Sequence, residues 1–320
     1  MKELKALIES GHIANLDLSG QVLEGVDFTG CTIDRVSFKK TELVSCRFRK
    51  AQISWCDFRY AKFQDGTFEE AIIDNCDFYR AFFDGVIIFG HSRISNCSIN
   101  KTYFGDAAMP VRDNLANGRL LQQDEKAYAS FLKDWHEKGT GERTNDVNKL
   151  SGWSPDEALR YRWAEAEDIF KNFSAMWTGK GYIADGNWAY VQGRRMERRR
   201  RIVQIADRKT PWSQRLFNIW KVFLNILSDA FFGYGESMFR MIVTYIVTVF
   251  LFAWVFNSQV SLLNYADALA VSLKNMAGMD SDVIRDVSPL VDMLNVVQTT
   301  IGIILTGIFG FILGNKIRNQ

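Results

Sequence analysis

The chain has 320 residues, 47% hydrophobic and 24% charged, with a formal net charge of +2. That near-neutral total excludes a uniformly basic nucleic-acid binder or a uniformly acidic mimic, and the length suggests two or three domains rather than one core. Five cysteines at positions 31, 46, 56, 76 and 97 are an odd number without a Cys-x-x-Cys spacing, which excludes a disulfide framework or a zinc site. Three dispersed histidines and no paired nucleophile and base give no assembled enzyme chemistry, and no cofactor or metal site is indicated.

Charge is unevenly spread. Residues 1–106 hold thirteen basic and fifteen acidic side chains, and residues 107–237 hold twenty-one and seventeen. From Arg240 onward only five of each remain among eighty-one residues. Met1 to Ser10 carries Lys2, Glu3, Lys5 and Glu9, so it lacks the unbroken apolar stretch of a secretory signal, and a cytoplasmic N-terminus is expected. Leu4, Leu7 and Ile8 share one helical face ahead of Gly11, which predicts a capping helix over residues 1–12.

A five-residue period follows. Every fifth residue from Leu18 through Leu23, Phe28 and Ile33 to Phe78, Phe83 and Ile88 is large and apolar, and after one extra residue near Gly90 and His91 the rhythm resumes at Ile94, Ile99 and Phe104. Two places earlier stands a mostly small residue, and all five cysteines fall on that register, so volume rather than reactivity explains them. Neither the helical period nor the strand period produces this spacing.

Cys56-Asp57-Phe58, Ala61-Lys62-Phe63 and Cys76-Asp77-Phe78 resemble the pentapeptide-repeat family. The resemblance implies a right-handed quadrilateral β-helix over residues 13–106, with about four repeats per coil stacked at ~4.8 Å. Relatives that mimic DNA need a strongly acidic surface. The balanced charge here favours instead a rigid scaffold or docking surface for a cytoplasmic protein or ligand.

Residues 107–210 predict an α-helical linker domain. Asp124 to His136 fits a short amphipathic helix through Tyr128, Phe131, Leu132 and Trp135, followed by a polar loop from Lys138 to Trp153. Ser154-Pro155-Asp156-Glu157 reads as a capped helix start, and the stripe Leu159, Trp163, Ala166, Phe170, Phe173 and Trp177 continues to Gly179. A second helix from about Asp185 completes a hairpin. It carries Arg194, Arg195, Arg198, Arg199, Arg200 and Arg201, a cluster placed before a hydrophobic segment, where basic residues mark the cytoplasmic side and attract anionic headgroups rather than nucleic acid.

Residues 211–236 predict an interfacial helix, with Trp212, Leu216, Trp220, Phe223, Leu227 and Phe231 opposed to Arg215, Lys221, Asn225 and Asp229. Residues 237–320 predict two transmembrane helices, at about 239–258 and 291–314, around a short helix at about 264–275. Basic residues outside both spans on one side predict cytoplasmic termini.

Tyr265-Ala-Asp-Ala-Leu-Ala-Val-Ser-Leu273 is similar to the pore helix of bacterial two-transmembrane channels of the potassium-channel superfamily, specifically the branch fused to pentapeptide repeats. The hairpin and Phe232-Gly233-Tyr234-Gly235-Glu236 are similar to that family's linker. The resemblance implies a homotetramer around a central pore in a bacterial plasma membrane. The family's Thr-Val-Gly-Tyr-Gly filter is replaced here by Asn275, Met276, Ala277, Gly278, Met279, Asp280, Ser281 and Asp282. Gly233-Tyr234-Gly235 precedes the first span and cannot substitute for it. Aligned by the pore helix, Asp280 and Asp282 would form carboxylate rings, which points to a cation pore that is not potassium-selective. Asn295, Thr299, Gly302 and Thr306 are the expected pore lining, with Gly307 as hinge and Phe309 or Leu313 as constriction. The alternative, from another class, is a membrane-anchored scaffold with a degenerate pore.

Overall fold

The computed structural model describes residues 2–137, 154–260, 263–279 and 288–318. The expected polar loop from Lys138 to Trp153 lies outside them. The chain divides into two compact units, Met1–Arg215 and Leu216–Gln320.

The first unit opens with helix α1 (Lys2–Glu9), whose Leu4 is buried in the solenoid core with Leu7 and Ile8 packed against it. Ten short strands follow: β1 (His12–Ala14), β2 (Val22–Glu24), β3 (Thr32–Asp34), β4 (Glu42–Arg47), β5 (Gln52–Ser54), β6 (Lys62–Thr67), β7 (Ile72–Asp74), β8 (Phe82–Ile88), β9 (Arg93–Ser95) and β10 (Tyr103–Phe104). They form two five-stranded parallel sheets, β1-β3-β5-β7-β9 and β2-β4-β6-β8-β10. This is a solenoid of about five turns.

Parallel pairing sets His12 opposite Thr32 and Thr32 opposite Gln52, twenty residues apart, so equivalent side chains of successive coils lie one above the other. Phe28, Phe48 and Phe68 stack with ring centroids 4.8 and 4.9 Å apart, and Phe38, Phe58 and Phe78 repeat the arrangement at 4.8 Å. These separations match the spacing of adjacent strands and the range preferred by offset aromatic pairs. All five cysteines are buried and free. Burial pushes the Cys31, Cys46 and Cys76 thiols up, away from the reactive thiolate.

The corner of each repeat is a residue of positive φ two places after the central apolar one. Gly20, Gly25 and Gly30 meet that demand freely, whereas Lys40, Lys50 and Tyr60 hold φ of 58°, 58° and 60°. None of the described non-glycine corners is β-branched.

The extra residue of the fourth turn lies elsewhere than the sequence pattern suggests. The register shifts within β8, where Gly66 faces Ile87 and Thr67 faces Ile88. Gly85, at φ of 69°, is the regular corner of this coil; the extra residue follows it, and Asp65 Oδ1 accepts the Val86 N–H at 2.8 Å across a corner where a Cβ on Gly85 would stand 2.3 Å from that same oxygen. Ile88, counted as a core position by the period, is therefore 51% exposed, and Phe89 stacks on Phe68 at 5.5 Å in its place.

Beyond the solenoid come α2 (Glu125–Glu137), α3 (Pro155–Gly179) and α4 (Ile183–Ala206). Ser154 and Glu157 form the reciprocal capping box, with the Glu157 N–H donating to Ser154 Oγ and the Ser154 N–H to Glu157 Oε2. The sequence treats this region as a separate linker, but its apolar stripe completes the solenoid core. Phe173 lies 6.2 Å from Phe104 and stacks on Trp177, whose Nε1–H donates to the Pro110 carbonyl at 2.9 Å. Asn114 closes the last coil by donating to the carbonyls of Phe89 and Ser92. An open solenoid end exposes apolar core and unpaired backbone, and α1 and the α3–α4 hairpin remove that exposure at the two ends.

Two substitutions test this account by thermal unfolding of the purified full chain. Phe58→Ala, at the centre of a three-ring stack, is expected to cost about 3–5 kcal/mol. Lys40→Val places a β-branched residue at positive φ and is expected to cost about 1–2 kcal/mol, while Lys40→Gly does not destabilise. Equal melting of the valine and glycine variants would refute the corner assignment.

Candidate pore-forming unit

The arginine cluster on α4 is engaged within its own unit. Arg200 Nε donates to Glu167 Oε2 at 2.6 Å, Arg194 and Arg201 pair with Glu197, and Arg199 lies 4.6 Å over the Trp163 ring. Arg195 and Arg198 also have partners. Arg199 and Arg200 thus tie α4 to α3, whereas Arg194 and Arg201 pair along α4 itself.

Helix α5 (Trp212–Leu227), which begins in the first unit and continues into the second, is inverted relative to a soluble amphipathic helix. Asn218 and Asn225 are buried, while Trp212, Phe217, Trp220 and Phe223 are exposed. Asn225 Oδ1 accepts the Tyr234 hydroxyl at 2.7 Å. The chain then turns through Gly233 and Tyr234, both at positive φ, and Arg240 ties the turn down by donating to the carbonyl and carboxylate of Asp229. Gly233-Tyr234-Gly235 is a connecting turn.

Helices α6 (Met238–Gln259) and α8 (Pro289–Arg318) are long and apolar enough to cross a membrane. Only 22% of the most apolar stretch of each is buried, unlike the core helix of a soluble protein. Between them lies α7 (Tyr265–Met276), twelve residues or about 18 Å, too short to span. Asn264 Oδ1 caps it by accepting the Asp267 N–H at 2.8 Å. It ends in a Schellman motif: Gly278 at φ of 75°, with its N–H on the Asn275 carbonyl and the Met279 N–H on the Lys274 carbonyl.

Buried polar side chains anchor α7 on both neighbours. Ser272 Oγ donates to the Val249 carbonyl at 2.8 Å, half-way along α6. Asn275 Nδ2 donates to Gln298 Oε1 at 3.0 Å, and Gln298 Nε2 donates back to Ser272. Ser272, Asn275 and Gln298 are fully buried. Around them, Ala268 and Val271 pack with Phe256, Val260 and Val291, and Met276 packs with Val249 and Leu305. The C-terminal end of α7 therefore stops at the middle of α6, where Ala277, Gly278 and Met279 are exposed. Asp267 and Lys274 are exposed on the face of α7 that the described residues leave uncovered.

The expected filter and lining residues are placed as follows. Asn275 and Met276 are buried in the α7 anchor, Ala277 to Met279 form the exposed turn, and Asp280, Ser281 and Asp282 lie outside the described residues. On α8, Asn295 and Thr299 are half-buried, the Thr299 hydroxyl donating to the Asn295 carbonyl, and Thr306 is exposed. Gly302 differs from its expected lining role. It is buried against α7, where an added Cβ would stand 2.5 Å from the Met276 carbonyl oxygen. Gly307 faces open space, Phe309 is half-buried beside Met241 and Leu305, and Leu313 is exposed. Gln298, which the sequence pattern passes over, is the central residue of the anchor. Its signal is one long polar side chain in an otherwise apolar span. Among the described residues no group of three or more His, Cys, Asp or Glu side chains is placed to hold a metal ion.

Gly302→Ala is expected to separate α7 from α8 and lower the melting temperature of the detergent-solubilised protein by several degrees, whereas Gly307→Ala leaves it unchanged. A tolerated Gly302→Ala would show that the α7–α8 contact is not required for the fold.

Comparison with known proteins bears on the solenoid. Residues 14–49 match a family model described as pentapeptide repeats in eight copies, and residues 48–93 match a second pentapeptide-repeat model in nine copies. The crystal structure of a pentapeptide repeat protein from the Arabidopsis thaliana thylakoid lumen is 23% identical, over 32% of this chain and 71% of that one, with a TM-score of 0.20. No curated protein matches. Residues 14–93 are pentapeptide repeats, joined in one chain to two helices long enough to span a bilayer.

Proposed function

We propose that the protein is the subunit of a cation-conducting membrane channel, assembled as a homotetramer around a central pore, with both termini cytoplasmic and the pentapeptide-repeat unit as its cytoplasmic regulatory part. The observation that carries this reading is the depth of α7. A helix that stops beside Val249 ends its hydrogen-bonded backbone half-way along a membrane-length helix. Non-helical backbone at that depth is tolerated only when covered by protein or bathed by water in a cavity. Asp267 and Lys274 on the uncovered face of α7 make the same demand, because charged groups facing lipid are costly. Neighbouring copies and an aqueous pore between them answer both.

Asparagines inward and aromatic residues outward fit α5 to the interface of the same membrane. Asp280 and Asp282 remain the residues proposed to concentrate cations at the mouth. The turn at Ala277 to Met279 lacks the potassium filter sequence, so the proposed pore conducts cations without potassium selectivity.

Protein reconstituted in vesicles is expected to carry single-channel cation currents. Asp280→Asn combined with Asp282→Asn should move the reversal potential in asymmetric salt toward the anion value. An unchanged reversal potential would remove the carboxylate rings, and absence of current under any stimulus would favour a membrane-anchored scaffold.

A further inference from the structure

Positive charges on the solenoid surface are unevenly answered. Arg47 pairs with Asp27, Arg49 with Glu69 and Lys50 with Glu70, each across one coil spacing, and Arg35 pairs with its neighbour Asp34. One corner differs. Lys40, Tyr60, Arg80 and Lys101 occupy it on successive coils, set there by the Lys40, Tyr60 and Arg80 N–H groups on the carbonyls of Arg59, Tyr79 and Asn100. Its three cations are exposed, and among the described residues none forms an ion pair with a carboxylate.

Arg80 and Lys101 lie instead 5.4 and 5.7 Å from the Tyr79 ring centroid, and Tyr60 meets that ring in a T-shaped contact at 5.9 Å. Lys101 acts on Glu165 through space, without an ion pair. Like charges on adjacent coils repel, so this edge of the fold is held together at an electrostatic cost.

Two places further along the chain, on the adjoining sheet, stand Phe82 and Tyr103. They are paired in register, their rings stack at 4.4 Å with planes 10° apart, and they remain 41% and 50% exposed. Lys62 continues this column one coil earlier and is taken up by Glu42 at 2.8 Å, while Asp84, two places past Phe82, is the acidic group beside the pair. Exposed aromatic surface next to unanswered cations marks a contact with another molecule.

Ring orientation selects the kind of molecule. Rings that stack from coil to coil lie across the solenoid axis, so each turns its face to its neighbour and its edge outward. The edge is the positive side of the ring quadrupole, which suits a carboxylate. A nucleobase needs an open ring face on which to stack. The cations and the ring edges therefore make one demand, for negative charge carried beside apolar groups.

We propose that the corner from Lys40 to Lys101 and the Phe82–Tyr103 pair form a docking site for an acidic polypeptide segment. Carboxylates of the segment meet Lys40, Arg80 and Lys101, and an apolar side chain lies against the stacked rings. The site is carried by the solenoid alone and does not depend on conduction.

Binding is measured on the full-length protein in nonionic detergent, with a fluorescent random copolymer of glutamate and tyrosine as the acidic probe. The copolymer is expected to bind, more weakly as salt rises from about 50 to 300 mM. Arg80→Glu with Lys101→Glu should weaken binding about tenfold or more. Phe82→Ser with Tyr103→Ser should weaken it several-fold and leave the salt dependence in place. The matched control, Arg93→Glu with Lys5→Glu, changes charge equally at two exposed cations on the other sheet and on α1, and should leave binding as in the wild type. Thermal unfolding of each variant ensures that loss of binding is read from folded protein. Amine labelling followed by mass spectrometry should show Lys40 and Lys101 protected by the copolymer and Lys5 unprotected. Absence of binding, equal weakening by the control pair, or tighter binding of oligothymidylate with the same two lysines protected would each overturn the proposal.

Discussion

The constraint on which the first unit depends is the separation of parallel coils. Once backbone hydrogen bonds hold successive turns one strand spacing apart, each side chain sits on its equivalent twenty residues earlier, or twenty-one past the insertion. Phenyl rings then stack at 4.8 Å without choosing to, because the backbone delivers them at a distance that suits offset aromatic contact. The same rule makes cysteine useful as a small buried filler: the Cys56 N–H points to the Cys76 sulfur, and the Cys76 N–H to that of Cys97. It also explains why the ends are costly. A stack has no intrinsic stop, so α1 at one end and the Phe173–Trp177 pair at the other are part of the fold rather than ornaments on it.

Much of this is legible in sequence because one residue class recurs at one spacing. Where the spacing breaks, legibility fails locally. An inserted residue can be accommodated anywhere between two intact repeats, and Ile88 and Phe89 are equally apolar, so composition cannot choose between them. Geometry chooses: Gly85 leaves room for the Asp65 carboxylate, which binds the Val86 N–H beyond the corner, and the shifted register sends Ile88 outward. The α3 stripe fails for a different reason. Its period states that one face is buried but not against what, and a self-contained linker satisfies it as well as a solenoid end does. Of the α4 arginines the sequence shows only the charge density; their partners Glu167 and Trp163 on α3 and Glu197 on α4 itself appear only in the fold.

In the second unit the readable part is again the repeated one, the long apolar runs of α6 and α8. The informative part is rarer and polar. Ser272, Asn275 and Gln298 are scattered hydrophilic residues in sequence, with no pattern linking positions twenty-three and twenty-six apart. Their meaning appears only when α7 is set against both spans. A buried amide pair in an apolar surrounding is costly unless satisfied, so its bonds specify one depth and one register for α7 more sharply than apolar packing alone would.

That depth connects the two kinds of evidence in this unit. Gly302 lets α8 approach the carbonyl end of α7 so closely that no side chain fits between them, and the Schellman turn at Gly278 then spends the last available N–H groups on the helix's own carbonyls. The described residues thus leave Ala277 to Met279 exposed at the end of α7, half-way along α6, and leave Lys274 exposed on the same helix. A lone copy in lipid would have to solvate that turn and that cation by itself, which the bilayer interior opposes. The same surface becomes acceptable when several copies turn it toward one another and enclose water. The physical case for a shared pore therefore rests less on the apolar spans, which many anchors possess, than on the short helix that stops between them.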